Sequence, residues 1–196
     1  MAFNYEFGEC SYFSHVLRVA ANIGFPPVLN PNIEADMNDF TIRKGKPDDM
    51  ATALELIQEL ALYEKAPLEV LTTEAILIED GFGANKIFDI FVAERDENIV
   101  GIAIYYEKYS TWKGRCIFLE DIIVTEELRG KGIGKLLFEE VMSVAKEKGV
   151  HRMEWQVLDW NEPAIKFYEK YNAVLDGEWL NGKLTFEQLQ QSEFKV

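Results

Sequence analysis

Three β-patterned runs follow one another with only short turns between them, and they constrain the fold of this chain more than any other stretch. Residues 87–93 lead into the turn-like Arg95-Asp96-Glu97-Asn98. Residues 99–106 then lead into Ser110-Thr111-Trp112-Lys113-Gly114, and a third run fills 115–124. Connections this short leave no room for crossover helices, so the runs pair antiparallel as a meander.

Around this meander the pattern is helical. A first strand at Phe40-Thr41-Ile42-Arg43 precedes Pro47-Asp48-Asp49, a proline and two acids suited to an opening helical turn. Met50, Ala53, Leu54, Ile57, Leu60 and Ala61 then recur at helical spacing, which predicts a helix over 47–64. A short helix is expected over 73–79, stopped by the glycines of Asp80-Gly81-Phe82-Gly83. After the meander, Ile133, Leu136, Leu137, Val141, Val144 and Ala145 line one face of a helix ending near Lys148-Gly149. A strand over 153–158 and a helix over 163–171 follow, so the fold class is α+β, a mixed sheet with helices packed on it.

The chain has 196 residues, a size suited to one domain. Residues 1–38 stand apart, with Gly24-Phe25-Pro26-Pro27, Asn30-Pro31-Asn32 and no regular period. They are read as a leader outside a compact domain over 39–196. Cys10 and Cys116 show no metal-ligand spacing and suit a reduced, cytoplasmic setting, and no metal is expected. No apolar run of membrane-spanning length occurs, and no basic segment precedes the fairly apolar residues 11–30. The formal net charge of -14 repels phosphate backbones, which argues against a nucleic-acid partner, and attracts cations.

The strongest chemical signal is Glu126-Glu127-Leu128-Arg129-Gly130-Lys131-Gly132-Ile133-Gly134, where a strand gives way to an amphipathic helix. Glycines at alternate positions let a ligand approach the backbone, and the free N–H groups of a helix start favour an anion. Lys131 and Lys135 add charge suited to phosphate. The segment lacks the Gly-Lys-Ser/Thr ending of a Walker loop, and it follows a meander where a dinucleotide fingerprint would follow the first strand of a βαβ unit.

Arg129, two residues, Gly132, one residue and Gly134 instead resemble the pyrophosphate-binding motif of the GNAT N-acetyltransferase superfamily. Asp159-Trp160-Asn161-Glu162-Pro163-Ala164-Ile165-Lys166-Phe167-Tyr168-Glu169-Lys170 resembles its next conserved block. Leu77 to Gly83, Tyr109 to Arg115, Leu119-Glu120-Asp121 and Val157 to Asn161 resemble the diamine (spermidine/spermine) and thialysine N-acetyltransferase branch. The likeness covers residues 40–185 and none of the leader; Asn172 replaces the usual Gly after the tyrosine helix and also tolerates a left-handed conformation.

The resemblance implies a mostly antiparallel central sheet, acetyl-CoA as donor, a small cationic amine as acceptor and a homodimer. It assigns the donor to Ile122, Ile123, Val124, Arg129, Gly130, Lys131, Gly132, Ile133, Gly134, Lys135, Asn161 and Phe167, with the N–H groups of Ile123 and Val124 steadying the carbonyl oxygen. The acceptor falls to Tyr63, Glu64, Glu120, Asp121 and Trp160.

Acetyl transfer needs a neutral amine and a proton for the departing thiolate. His15 in the leader and His151 at a strand start are poor bases. The resemblance implies Glu120 as the group that guides deprotonation through water, and Tyr168, on the helix beside the expected sulfur, is the general acid candidate. Adjacent in a strand, Glu120 and Asp121 are expected on opposite faces, Asp121 shaping the cationic site. A polyamine and a lysine-like amino acid such as thialysine both remain open as acceptor. A catalytically silent acyl-CoA-binding module is the competing class.

Overall fold

A computed structural model describes residues 39–191; the leader reading, Cys10 and His15 lie outside them. Strand β1 (Thr41–Lys44) leads through a 3-10 turn at Pro47–Asp49 into helix α1 (Met50–Tyr63), and α2 (Glu74–Phe82) follows. The meander is β2 (Asp89–Arg95), β3 (Asn98–Ser110) and β4 (Gly114–Val124). A second 3-10 turn, Glu126–Leu128, precedes α3 (Ile133–Glu147), then β5 (Arg152–Glu154), α4 (Glu162–Glu169) and α5 (Phe186–Gln191).

The strands lie in sequence order, antiparallel except for the parallel pair β4–β5, which is the mixed, mostly antiparallel sheet expected. Asp96 and Glu97 turn the β2–β3 hairpin with φ of 49° and 65°, the left-handed conformations that keep a two-residue loop in step with strand twist. Asn172 does take a left-handed conformation, with φ of 55°.

Strand alternation gives the sheet two apolar faces. Ala103, Tyr105, Ile117 and Leu119 pack with Leu137, Phe138 and Val141 of α3 and with Tyr168 of α4. Val92, Ile102, Ile104 and Ile123 pack on the other face with Met50, Ala53 and Leu56 of α1 and Leu77 of α2. Beneath α1, buried Asp49 accepts from Arg43 at 2.7 and 2.9 Å and from Lys46 N–H at 2.8 Å, pinning the helix start to β1.

Two boundaries differ from the periodic reading. Helix α2 continues through Gly81 to Phe82, because Gly81 is buried against Phe88, whose ring atoms would stand 2.9 Å from an added Cβ. That glycine serves packing, and Gly83 ends the helix. Strand β5 stops at Glu154, since only Cys116, Ile117 and Phe118 of β4 find partners on it. From Trp155 onward the two strands part, and the wedge between them is where the site lies.

Candidate active site

The wedge opens into a cleft of about 650 Å³, lined by β4 from Leu119 to Val124, by Trp155 to Leu158, by the glycine junction and by α4. Its β4 wall offers backbone groups that β3 leaves unpaired, of which Val124 C=O is taken by Arg129. Thr125 N–H donates to Val100 C=O at 2.9 Å, which makes Gly101 and Val124 a non-hydrogen-bonded pair. Alternation then turns the N–H and C=O groups of Ile122 and Val124 toward the cleft. Those of Ile123 face β3, and its side chain is buried under α1, so the expected oxygen-steadying pair is not Ile123 with Val124.

The junction supplies the anion-binding end. Gly130 and Gly132 have φ of 79° and 87°, a region costly for residues with a Cβ. Gly132 caps α3 without a side-chain hydrogen bond, which leaves the first-turn N–H groups of Ile133, Gly134 and Lys135 for a ligand. Gly134 and Lys135 line the cleft, and Lys135 Nζ also pairs with Glu139 at 2.9 Å. Lys131 is not among the lining residues.

Arg129 also lines the cleft, but its guanidinium is engaged within the protein. Nε donates to Val124 C=O at 2.9 Å, a second nitrogen meets Glu59 at 2.7 Å, and the group lies 5.2 Å from the Tyr63 ring centre. Glu59 also accepts from Glu126 N–H at 3.0 Å, so one side chain of α1 holds both ends of the 3-10 turn. The sequence reading missed Glu59, although it sits one helical turn before Tyr63 on the same face.

A register shift between Ile104 and Tyr105 decides the acceptor end. Asp121 pairs with Ile104 while Leu119 pairs with Tyr105, so Glu120 is the extra residue of a β-bulge. Asp121 therefore faces the same side as Ile104, and Glu120 accepts from the Tyr106 hydroxyl at 2.9 Å on that side as well. The two carboxylates share a face, contrary to the alternation expected of a regular strand. Glu64, at the end of α1, joins them in lining the cleft.

Crowded carboxylates in a poorly solvated wall hold protons more tightly. Burial, then the charges of Glu120 and Glu64, push Asp121 up to about 6. Burial alone raises Glu64. Tyr106, another residue missed in the sequence, is pushed up to about 12 by burial and by Glu120.

Tyr168 lines the same cleft, its ring buried among Phe138, Trp155 and Phe167 at centroid distances of 4.7 to 5.5 Å. Burial pushes its phenol up to about 12, so it stays protonated in neutral solution. Asn161 lines the cleft too and caps α4, its Oδ1 accepting from Ala164 N–H at 3.3 Å and from the Tyr63 hydroxyl at 3.1 Å. Phe167 is in the lining; Trp160 is not, standing 5.8 Å from the Tyr63 ring and facing Lys65 at 4.8 Å.

A splayed parallel strand pair, a glycine-rich turn into an uncapped helix and a buried tyrosine around one cleft define an acyl-CoA-dependent transferase. Residues 54–173 match the Acetyltransferase (GNAT) family, and the chain belongs to it. It is an acetyl-CoA-dependent N-acetyltransferase of the diamine/thialysine branch. The thialysine N-epsilon-acetyltransferase of Bos taurus is 42% identical over 140 residues, 67% of this chain and 82% of the relative. The spermidine/spermine N(1)-acetyltransferase-like protein 1 of Homo sapiens is 32% identical over 72% of this chain and 21% of its own length. The fold is shared with an integron cassette protein from the V. cholerae mobile metagenome, 21% identical, at a TM-score of 0.64 over 78% of this chain and 96% of that one.

Proposed function

We propose that this enzyme acetylates the primary amine of a small cationic molecule, a diamine, a polyamine or a thialysine-like amino acid, with Tyr168 as general acid. The observation that carries the reading is the meeting of Glu64, Glu120 and Asp121 in the cleft that also holds the glycine junction and Tyr168. Bound there, acetyl-CoA supplies the acetyl group as an activated thioester.

Ile122 and Val124 offer backbone to the donor's arm, and the N-terminus of α3 with Lys135 receives its phosphates. The fit is supported by two left-handed glycines and an uncapped helix start where a Cβ or a capping side chain would take up the space. The carboxylates attract the ammonium form of the acceptor and receive its proton, directly or through water, freeing the lone pair for attack. The Val124 N–H is directed to stabilise the carbonyl oxygen as it gains charge. As the new C–N bond forms and the C–S bond breaks, Tyr168 would hand its phenolic proton to the sulfur, and the second proton shed by the nitrogen as it becomes an amide would return through water to the phenolate, restoring it.

The amines in the relatives' names support this acceptor class, the branch likeness supports a homodimer, and the cysteine usage supports a reduced, cytoplasmic setting. Thiol release measured across diamines, polyamines, thialysine and lysine tests the reading. At least one amine is expected to drive stoichiometric CoA release; tight acetyl-CoA binding with no release for any amine overturns it in favour of a silent binding module.

A further inference from the structure

One oxygen atom ties helix α1 to the donor end of the cleft. Glu59 Oε1 accepts from Glu126 N–H at 3.0 Å and from the Arg129 guanidinium at 2.7 Å. These two donors stand at the start of the 3-10 turn and just past its end, where the chain passes from β4 to the glycine junction. Arg129 donates in turn through Nε to Val124 C=O at 2.9 Å. A continuous run of hydrogen bonds therefore leads from α1 to the last residue of β4.

In an extended strand the N–H and C=O of one residue point to the same side, so Val124 C=O faces the cleft beside the Val124 N–H. Left bare, that oxygen would set a negative dipole end next to the thioester oxygen as it gains charge. Arg129 covers it, and Glu59 keeps Arg129 in place. Glu59 is not among the residues that line the cleft, and its carboxylate puts a negative charge behind a site suited to an anion. By charge alone it opposes donor binding, so any gain it brings must come from geometry.

We propose that Glu59 is a positioning residue of the donor site: by holding the turn at both ends it keeps Val124 C=O covered and the glycine junction aimed at the donor's phosphates, so that acetyl-CoA binds more tightly with this carboxylate than without it. The inference rests on the reading of the junction as the donor's phosphate site and adds to it a residue that never meets the ligand.

Two conservative variants separate geometry from charge. Both bonds end on one oxygen, so Glu59→Gln keeps the acceptor and drops the charge. Glu59→Asp keeps the charge but is one methylene too short to reach both donors. The Glu59–Arg129 pair is partly exposed and adds little to the fold, so these variants and Glu59→Ala should melt within about 4 °C of the natural protein. Titration calorimetry with acetyl-CoA should find Glu59→Asp and Glu59→Ala weakened about tenfold, as loss of one charge-assisted hydrogen bond predicts, and Glu59→Gln within about twofold of the natural protein. The KM for acetyl-CoA should follow the same order. With Arg129→Ala in place, Glu59→Ala should weaken binding by less than about threefold, because the guanidinium it holds is gone. Unchanged or tighter acetyl-CoA binding in Glu59→Asp and Glu59→Ala overturns this inference alone. So does a loss in Glu59→Gln equal to that in Glu59→Ala, since charge would then carry the effect. A natural protein that binds no acetyl-CoA overturns the reading of the donor site, and the inference with it.

Discussion

Tyr63 donates its phenolic hydrogen to Asn161 Oδ1 at 3.1 Å, joining the end of α1 to the cap of α4 across 98 residues of chain. The same ring lies against Arg129 and Trp160. It therefore braces the glycine turn and the tyrosine helix from one point. Tyr63→Phe keeps the ring and removes the strut, and the hydrogen bond is exposed, so stability should fall by only about 1 kcal/mol. The KM for the amine should rise severalfold with a smaller change in kcat, as steady-state rates beside a thermal melt will show.

Tyr168→Phe separates proton donation from packing. The ring environment of Phe138, Trp155 and Phe167 accepts phenylalanine, while the proton is lost. Single-turnover rates should drop by roughly 10²- to 10⁴-fold with little change in acetyl-CoA affinity. Because burial holds the phenol near 12, the natural enzyme should show no loss of rate from this group up to about pH 10. Equal single-turnover rates would assign the proton to solvent.

Asp121 links activity and stability to pH with opposite signs. Its folded carboxyl keeps a proton up to about pH 6, whereas an unfolded one releases it near 4, so between those values the folded state binds more protons. Stability contributed by this site is therefore lost as pH rises from about 4 to about 6. Turnover should climb through the same window as the carboxylate becomes able to accept a proton. Asp121→Asn should melt higher than the natural protein at pH 8, by an amount on the order of 1–2 kcal/mol, and lose most of its kcat/KM for amines. A lower melting temperature at pH 8 would show that the charge is not a burden on the fold.

The two junction glycines should fail differently. Gly132, at φ of 87°, is strained by any side chain, so Gly132→Ala should lose about 1 kcal/mol of stability as well as acetyl-CoA affinity. A Cβ at Gly134 meets only Val124 Cγ2 at 3.9 Å, so Gly134→Ala should fold as well as the natural protein. Titration calorimetry should still find Gly134→Asp weakened for acetyl-CoA, since its carboxylate faces the anion-binding cleft. Unchanged affinity in both Gly132→Ala and Gly134→Asp would exclude the junction as the phosphate site.

The elements whose signals are local are legible in the sequence alone. Helical spacing from Met50 to Ala61 and from Ile133 to Ala145 marks α1 and α3, and short polar turns mark the β2–β3–β4 meander. Asn161 before a proline marks the start of α4, and Gly130 and Gly132 mark the place where the backbone turns left-handed. Each of these rests on backbone periodicity, capping or steric freedom, which a few neighbouring residues suffice to determine.

Tertiary structure decided which side chains meet. One unpaired residue in β4 put Glu120 and Asp121 on a common face, and a bulge is set by how two strands register, which composition does not encode. Parting of β4 and β5 after Phe118 turned an expected six-residue strand into the wall of a cleft. Glu59 and Arg129 lie 70 residues apart in the chain, and packing of α1 against the sheet made their pairing possible. The residue types needed for acetyl transfer are thus written in the sequence; their convergence follows from long-range contacts that no local pattern records.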